Sequence, residues 1–378
     1  MIYFDNAATS FPRPEQVYVE MDRVNRNFSV NAGRGSYKAA KEAAELIQCT
    51  KSNIVKLFQC DGLADVVFSS SVTLAMNQII NGLNIDCNTV IYISPYEHNA
   101  VARTIEAVRT KTKCEICFLP LDESTLEIDL KKMEYLFHEK KPDIVISTVI
   151  SNVTGYRIPV ERIFEVAQAY GSITIADAAQ AAGLIDIAYK KFHADIIAFA
   201  GHKTLCGPFG VGGFIIRKDL TLEQVLTGGT GSDSLNLKMP EESPNRYEAG
   251  SENIVAIAGL KAALDWLEEN PHRAKIQELT EYLITRMFDN DKVIVLSPKT
   301  LKKCYGIVSF VVEGYDSNDV GSILDEEFDI AVRTGYHCAP YIHDYLESKK
   351  YGGTVRVGIG PFNTKEEIEV LIEAIDSL

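Results

Sequence analysis

Residues 172–217, SITIADAAQAAGLIDIAYKKFHADIIAFAGHKTLCGPFGVGGFIIR, decide the fold. They contain three short apolar runs, at 172–179, 195–201 and 210–217. Nearly continuous apolar runs of this length are typical of strands that are covered on both faces. A segment long enough for a helical crossover separates the first two runs, which favours parallel strands joined by an α/β unit. The stretch therefore predicts the centre of a mostly parallel sheet.

The same alternation continues towards the N-terminus. Helical patterns such as LAMNQIINGL and AVARTIEAVRT separate further apolar runs. Those runs lie at 65–70, 89–94, 115–120 and 143–150. We therefore predict an α/β fold in which a large domain, residues 15–256, is built on a mostly parallel central sheet.

The pattern changes after about residue 257, where long helical stretches are followed by short strands and a final helix. This layout predicts a smaller α+β domain made of residues 1–14 and 257–378, although the helix at 254–269 could instead connect the two domains. Residues 228–246 are rich in Gly, Ser and Pro and show no periodicity. A loop of that length within a compact domain is usually functional or mobile.

Composition and charge limit the function. The chain has 378 residues and a formal net charge of −14, which argues against nucleic acid and anionic membranes as partners because both attract basic surfaces. No apolar run reaches the roughly 18 residues needed to span a bilayer. The opening MIYFDNAATS has neither the basic nor the apolar region of a signal peptide. We therefore expect a cytoplasmic protein.

The eight cysteines are scattered along the chain, and in a reducing compartment we expect most of them to be buried thiols. Cys114 and Cys117 have CxxC spacing, but no second CxxC follows and the surrounding KCEICFLP alternates like a strand. The pair is better interpreted as two strand residues than as a metal or redox site. No metal site is predicted.

Polar side chains follow several of the predicted strands, where ligands of open parallel sheets bind. Each has an ordinary explanation beside the functional one: a helix cap, a turn, a satisfied polar residue, a structural ion pair or a solvated lysine. These residues are Ser71 and Thr73 after the first strand, then His98, Asn152, Asp177 and Lys203 after later ones.

The set as a whole favours pyridoxal 5′-phosphate (PLP). This cofactor needs an amine for a Schiff base, an acidic partner for its ring nitrogen, a ring stacker, a partner for O3′ and a phosphate cradle. Lys203 could supply the amine, because burial and a nearby cation lower a lysine pKa. Asp177 ends a strand expected to be buried, where a carboxylate needs a cation. Hydroxyls and free N–H groups at a helix start could bind the phosphate.

Three motifs resemble the class V aminotransferase family: GHKTLCGPFGVGG (201–213), ADAAQA (176–181) and YFDNAATSFP (3–12). The resemblance implies PLP-dependent transferase fold type I, the fold of aspartate aminotransferase. Within the family the chain resembles the cysteine desulfurases. Residues 247–251 are similar to E-A-G-T, and residues 333–339 are similar to the R-x-G-x-H-C-A loop of the branch with a short catalytic-cysteine loop.

The resemblance implies a role for each candidate residue. The catalytic residues would be Lys203, which holds PLP as a Schiff base, Cys338, and His98, which stacks on the ring. The implied cofactor-binding residues are Lys203, Asp177 at the ring nitrogen, Gln180 at O3′, His98, Asn152, His202, Thr73, Ser71, Ser251 and Gly229. Ser251, Gly229 or Gly231 would reach the phosphate from the second subunit of a homodimer. The implied substrate-binding residues are Arg356, which clamps the carboxylate with Asn152, and also Asn31 and Arg34.

Cys338 is the residue on which sulfur chemistry depends. Arg333 and His337 flank it, and nearby cationic groups stabilise a thiolate. Gly335 and Pro340 allow its loop to present the thiol to a cleft. The resemblance implies that the thiolate attacks the sulfur of a cysteine–PLP adduct, so that alanine leaves and a persulfide remains for an acceptor protein. The alternative is an ordinary buried loop cysteine.

We therefore expect a cysteine desulfurase that acts on L-cysteine, with selenocysteine as a second candidate substrate. The alternatives are a selenocysteine lyase or cysteine sulfinate desulfinase of the same family, an aminotransferase proper, and a catalytically silent scaffold. The chain departs from the family pattern at Val72, Ala200, Ser251 and Tyr336. Two phosphate hydroxyls are thus missing from their usual places, and Ser70, Ser71 or Ser251 could replace them.

Overall fold

The computed structural model describes residues 1–32, 35–231, 235–298 and 300–378, and its elements are named here in chain order. The strands are β1 (Ile2–Tyr3), β2 (Ala64–Ser69), β3 (Val90–Ile93), β4 (Glu115–Phe118), β5 (Leu121–Asp122), β6 (Glu127–Ile128), β7 (Ile144–Thr148), β8 (Ile173–Asp177), β9 (Ile196–Ala200), β10 (Gly212–Arg217), β11 (Val293–Val295), β12 (Ile307–Val312), β13 (Ile330–Ala331), β14 (Arg333–Gly335) and β15 (Thr354–Gly358). The α-helices are α1 (Glu15–Asn27), α2 (Lys38–Phe58), α3 (Val72–Asn81), α4 (Asn99–Thr112), α5 (Leu130–Glu139), α6 (Val160–Ala169), α7 (Tyr189–Phe192), α8 (Ile254–Glu269), α9 (Arg273–Phe288), α10 (Ser317–Phe328), α11 (Ile342–Tyr345) and α12 (Lys365–Asp376).

The central sheet has the strand order β2-β10-β9-β8-β7-β3-β4. Its strands pair in parallel except β10, which runs antiparallel to both neighbours, β2 and β9. The predicted mostly parallel α/β sheet is therefore confirmed. Thr148 of β7 pairs with Asp177 of β8, and Asp177 pairs with Ala198 of β9. The carboxyl ends of these strands therefore lie at one edge of the sheet.

Both faces of this sheet are covered, as the continuous apolar runs predicted. Along β9, Ile197 and Phe199 belong to one buried apolar cluster, whereas Ile196 and Ala198 belong to a second. Successive side chains of a strand point to opposite faces, so the two clusters lie on the two sides of the sheet. All four side chains are fully buried.

A second sheet, with the order β11-β12-β15-β14, is antiparallel and is formed by residues of the C-terminal third. The N-terminus lies with these residues: β1 pairs in parallel with β13, and Asp5 forms a parallel bridge to Gly358. The division into a large domain, 15–256, and a small domain of 1–14 with 257–378 stays a prediction.

Helix α8 packs closely against α1. A methyl group built on Gly259 of α8 would lie 2.8 Å from Met21 Cγ and 2.9 Å from Pro208 Cγ, so a glycine is needed for this approach. In the part of the chain that the structure describes, no helix is long and apolar enough to cross a membrane.

All eight cysteines are free thiols, but the expectation that most are buried holds for only half of them. Cys60, Cys114, Cys206 and Cys304 are buried, and Cys117 is half-buried in β4. The other three, Cys49, Cys87 and Cys338, are exposed. Exposure therefore does not by itself distinguish Cys338.

Candidate active site

Lys203 lies at the centre of a group of charged residues brought together from distant parts of the chain. It follows β9 by three residues and interacts electrostatically with Asp177, which ends β8. It also interacts with Arg356 on β15, Arg333 on β14 and Cys338 in the loop after β14. The fold therefore places the predicted amine, carboxylate, arginine and thiol in one site.

The amine of Lys203 is prepared for nucleophilic chemistry. Burial lowers its pKa to about 8, because desolvation disfavours the charged form; Asp177 opposes this shift, and Arg356 and Arg333 add to it. A pKa of about 8 leaves roughly one amine in ten uncharged at pH 7. An uncharged amine can attack an aldehyde.

Asp177 is a buried carboxyl without a salt-bridge partner among the described residues. Its Oδ1 accepts a hydrogen bond from the N–H of Ala179 at 2.9 Å. Burial raises the pKa of Asp177, whereas the charge of Lys203 lowers it. A buried carboxylate is expensive unless a cation lies beside it, and a protonated pyridine nitrogen is such a cation.

Glu97 is a second buried carboxyl that the sequence interpretation missed. Its Oε1 accepts hydrogen bonds from the hydroxyl of Ser94 at 2.5 Å and from the N–H of Thr148 at 2.7 Å. Burial raises its pKa to about 8, with a further contribution from the charge of Asp177. Glu97 is therefore mostly protonated at neutral pH, and it joins the loop that carries His98 to the end of β7. In the sequence, its position directly before His98 was the signal that could have identified Glu97 as a site residue.

His98 is neutral and its proton position is fixed. It caps α4, and its Nδ1 accepts a hydrogen bond from the N–H of Ala100 at 3.0 Å, which places the proton on Nε2. Burial, followed by the charges of Lys203, Arg333 and other arginines, lowers its pKa to about 3. The predicted stacking of this ring on a cofactor stays a prediction.

Two buried polar atoms near the ends of β2 and β9 have no partner in the described chain: the hydroxyl of Ser69 and Nδ1 of His202. The His202 ring stacks on Phe209, with centroids 4.5 Å apart. Ser69 pairs with Gly212, which in turn pairs with Ala200, so all three lie in one row of the sheet. Unsatisfied donors at this edge suit a phosphate.

The side-chain hydroxyls at the start of α3 that were predicted to bind phosphate have different surroundings from the hydroxyl of Ser69. Ser71 caps the helix, and its hydroxyl accepts from the N–H of Leu74 at 3.2 Å, so the ordinary interpretation as an N-cap applies. Thr73 is exposed. Ser69, whose hydroxyl has no partner in the described chain, is thus a further candidate for the phosphate, and the predicted roles of Ser71 and Thr73 stay predictions.

Asn31, Gly229 and Ser251 form a separate group. Asn31 donates a hydrogen bond to the hydroxyl of Ser251 at 3.1 Å, and the N–H of Gly250 donates to the carbonyl of Gly229 at 2.8 Å. The cleft that they line does not include Lys203 among its described lining residues. Their predicted contribution to the site of a partner subunit stays a prediction. Arg34, the remaining predicted substrate ligand, lies outside the described residues.

Gln180 lies in the same cavity lining as Lys203. Its side-chain amide donates a hydrogen bond to the carbonyl of Ala7 at 2.7 Å, which fixes its orientation. An amide carries two N–H donors, so the second is left for a ligand oxygen such as O3′. The predicted role at O3′ is compatible with this geometry and stays a prediction.

Arg356 and Asn152 are both engaged within the protein. Arg356 is 1% exposed, so it is a buried arginine and not a surface one. It donates to Asp5 Oδ1 at 2.7 Å and to the carbonyl of Asn152 at 2.9 Å. The side-chain amide of Asn152 donates to the carbonyl of His337 at 2.7 Å. That amide therefore holds the cysteine loop in place.

The loop after β14 presents Cys338 at the mouth of the site. The thiol is exposed, and Nη2 of Arg333 lies 3.6 Å from its sulfur. His337 and Cys338 have φ angles of 47° and 56°, a conformation that costs energy for residues other than glycine. The N–H of Asn99 donates to the carbonyl of Cys338 at 2.7 Å. The loop is thus held against the start of α4, beside His98.

The expectation that His337 helps to stabilise the thiolate as a cation is wrong. The side chain is buried, and its Nε2 lies 2.7 Å from the hydroxyl of Thr354. Thr354 donates onward to Ser309 at 3.2 Å, so Nε2 of His337 must be the donor. Burial lowers the pKa of His337 well below its usual value, so the imidazole is neutral and supports the loop from below.

Comparison with known proteins shows the family and the fold of the chain. The profile of the family described as "Aminotransferase class-V" matches residues 2–371. A probable cysteine desulfurase of Streptomyces coelicolor is 28% identical, with 100% of this chain and 91% of that protein covered. A probable cysteine desulfurase of Methanothermobacter thermautotrophicus is 30% identical, with coverage of 100% and 94%. The apo structure of a cysteine desulfurase from Thermococcus onnurineus has a TM-score of 0.91 at 31% identity, with coverage of 100% and 95%, which confirms the predicted fold type I.

Proposed function

Because the chain belongs to the class V aminotransferase family, we propose that it is a PLP-dependent cysteine desulfurase. Its substrate is L-cysteine, and its products are L-alanine and a persulfide on Cys338. The observation that carries this proposal is the exposed thiol of Cys338, 3.6 Å from Arg333 and in electrostatic interaction with Lys203. An aminotransferase has no use for a thiol in that place.

The residues present fit PLP. Lys203 would hold the aldehyde carbon, the buried Asp177 would face the ring nitrogen, and Ser69 and His202 would receive the phosphate on their unsatisfied atoms. When bound, PLP supplies an electron sink for the carbon skeleton of an amino acid. Because Asp177 is buried, its carboxylate form is stable only when a cation lies beside it. Next to PLP, this carboxylate would therefore favour the protonated form of the ring nitrogen.

Cys338 performs the sulfur step. Its thiolate, next to the Arg333 guanidinium, attacks the sulfur of the substrate; a sulfur–sulfur bond forms as the carbon–sulfur bond of the substrate breaks. The electron pair of the broken bond stays with carbon, which takes up a proton and becomes the methyl group of alanine. The carbon is reduced and the transferred sulfur is oxidised, so no outside oxidant is needed.

The chain supplies groups that can hold the protons. Nζ of Lys203, with a pKa of about 8, can take up and release a proton near neutral pH. Nε2 of His98 carries a proton on a neutral ring, because Nδ1 accepts from Ala100. These two groups approach the substrate from different strands of the sheet.

Three finer points belong to the same proposal. We infer a homodimer, supported by the grouping of Asn31, Gly229 and Ser251 in a cleft that does not include Lys203 among its described lining residues. We infer an acceptor protein that takes the persulfide sulfur, supported by the exposure of Cys338. We also infer a cytoplasmic location, because all eight cysteines are free thiols and a reducing compartment keeps a nucleophilic thiol such as that of Cys338 unoxidised.

The test is to quantify sulfide and alanine released from L-cysteine in the presence of a reductant by wild type, Cys338→Ala and Cys87→Ala. Wild type and Cys87→Ala, which lacks another exposed thiol, should release both products in equal amounts. Cys338→Ala should lose sulfide release while keeping the absorbance of bound PLP. Full sulfide release by Cys338→Ala would contradict the mechanism.

The same proteins separate the alternatives. A selenocysteine lyase or cysteine sulfinate desulfinase would retain activity on its own substrate without Cys338, so all three amino acids are assayed side by side. A scaffold protein would remain colourless after PLP is added.

A further inference from the structure

Asp5 is held beside the strand that carries Arg356. It forms a parallel bridge with Gly358 at the end of β15. The N–H of Gly358 donates to the carbonyl of Phe4 at 2.5 Å, and the N–H of Asn6 donates to the carbonyl of Gly358 at 3.3 Å. The carboxylate of Asp5 therefore extends from a backbone that is fixed on both sides.

The guanidinium of Arg356 is buried but only partly satisfied. Nη2 donates to Asp5 Oδ1 at 2.7 Å, and Nη1 donates to the carbonyl of Asn152 at 2.9 Å. The buried Nε has no acceptor among the described residues. Nε and one N–H of a neighbouring nitrogen form the edge that receives a carboxylate in a bidentate pair. One donor of that edge is thus left over for an anion.

Burial explains why Arg356 needs a fixed partner. Desolvation lowers the pKa of Arg356, and nearby Arg333 lowers it further, whereas Asp5 raises it. A buried cation without a partner is strongly destabilising, because its lost hydration is not replaced. The side chain of Asp5 keeps 22% exposure, so it is not fully desolvated itself. Asp5 thus allows Arg356 to stay charged and oriented before any substrate arrives.

We propose that Asp5 is a positioning residue that holds the Arg356 guanidinium with its Nε edge ready for the α-carboxylate of an amino-acid substrate. This inference rests on the proposed function, because it assigns the carboxylate of the substrate to Arg356. Asp5 acts through Arg356 alone. Asp5 therefore should not affect the binding of ligands that have an amine but lack a carboxylate.

The experiment compares two reagents that trap protein-bound PLP. Aminooxyacetate carries a carboxylate, and methoxyamine has the same reactive group without one. We measure the rate at which each reagent removes the absorbance of the holoenzyme, and take the ratio of the two rates as the selectivity for a carboxylate. Asp5→Ala should lower this ratio about tenfold, which corresponds to about 1.4 kcal/mol. Asp5→Asn, which keeps an oxygen acceptor without the charge, should give an intermediate ratio.

Asp22→Ala is the control, because it breaks an exposed ion pair with Arg26 on α1 and should leave the ratio unchanged. A second readout is calorimetric binding of L-alanine, whose dissociation constant should rise about tenfold in Asp5→Ala. A general loss of structure would slow trapping by both reagents equally and leave the ratio as in wild type. That result, or an unchanged ratio with normal rates, would overturn the inference.

The outcomes also separate this inference from the proposed function. A wild type that prefers aminooxyacetate but releases no sulfide from L-cysteine would contradict the desulfurase activity and leave the role of Asp5 standing. A wild type that releases sulfide, together with Asp5→Ala that keeps the full preference, would contradict the role of Asp5 alone.

Discussion

Nη2 of Arg333 lies 3.6 Å from the sulfur of Cys338, and the two side chains share the mouth of the site. Arg333 belongs to β14, which pairs with β15, so its position is set by the sheet. Cys338 belongs to the loop that follows, in which two consecutive residues have positive φ angles. A cation on a rigid strand thus faces a thiol on a constrained loop.

Replacing Arg333 by Met should therefore make Cys338 less reactive. The guanidinium lies 3.6 Å from the sulfur, where it can hold the thiol in position and attract the negative charge of the attacking sulfur. We expect the rate of alkylation of Cys338 by iodoacetamide at pH 7.5 to fall roughly five- to tenfold, with a similar loss in sulfide release. Mass spectrometry of the Cys338 peptide measures the alkylation directly. Arg109→Met, which removes an exposed arginine paired with Glu106, should leave the rate as in wild type; equal rates in both variants would contradict the prediction.

Ser69 and Ser71 should differ in what their loss affects. Ser69→Ala removes a buried hydroxyl that has no partner among the described residues, so PLP should bind roughly five- to twentyfold more weakly while the protein keeps its melting temperature. Ser71→Ala removes the N-cap of α3, so stability should fall by about 1 kcal/mol with a smaller effect on PLP affinity. Spectrophotometric PLP titration and thermal unfolding measure the two effects. A reversed pattern would assign the phosphate to Ser71.

Glu97 predicts a pH dependence of stability. Its pKa is about 8 in the folded protein, because burial disfavours the carboxylate, and about 4.5 when unfolded. Between these values the folded state holds a proton that the unfolded state has lost, so this group makes stability fall as pH rises from about 4.5 to 8. Glu97→Gln mimics the protonated form. The change in melting temperature over that pH range should therefore be at least about 2 °C smaller in this variant than in wild type. An unchanged pH dependence would show that Glu97 does not titrate there.

The order of strands and helices was predictable because buried parallel strands appear in a single sequence as nearly continuous apolar runs, and helical patterns separate these runs. Asp177 and Lys203 could also be named in advance, since both stand at the carboxyl ends of predicted strands of the central sheet. Cys338 could be named from its family-like loop and its neighbour Arg333. The structure brings these three together through the sheet register and through electrostatic contact with Lys203.

Other features depended on contacts between distant segments, which no local pattern shows. The hydrogen bond from Asn152 to the carbonyl of His337 requires the folded cysteine loop. His337 was misread as a cation because its burial and its partner Thr354 are set by β15, 17 residues further along. Ser69 could not be distinguished from its neighbours Ser70 and Ser71, because only the structure shows that its hydroxyl is buried without a partner among the described residues. Glu97 was overlooked because its burial depends on the end of β7.

The ion pair between Asp5 and Arg356 spans 351 positions of the sequence, from the segment after β1 to β15. During synthesis, Asp5 leaves the ribosome long before Arg356 has been added to the chain. A nascent chain can therefore fold the central sheet before the pocket for a substrate carboxylate exists.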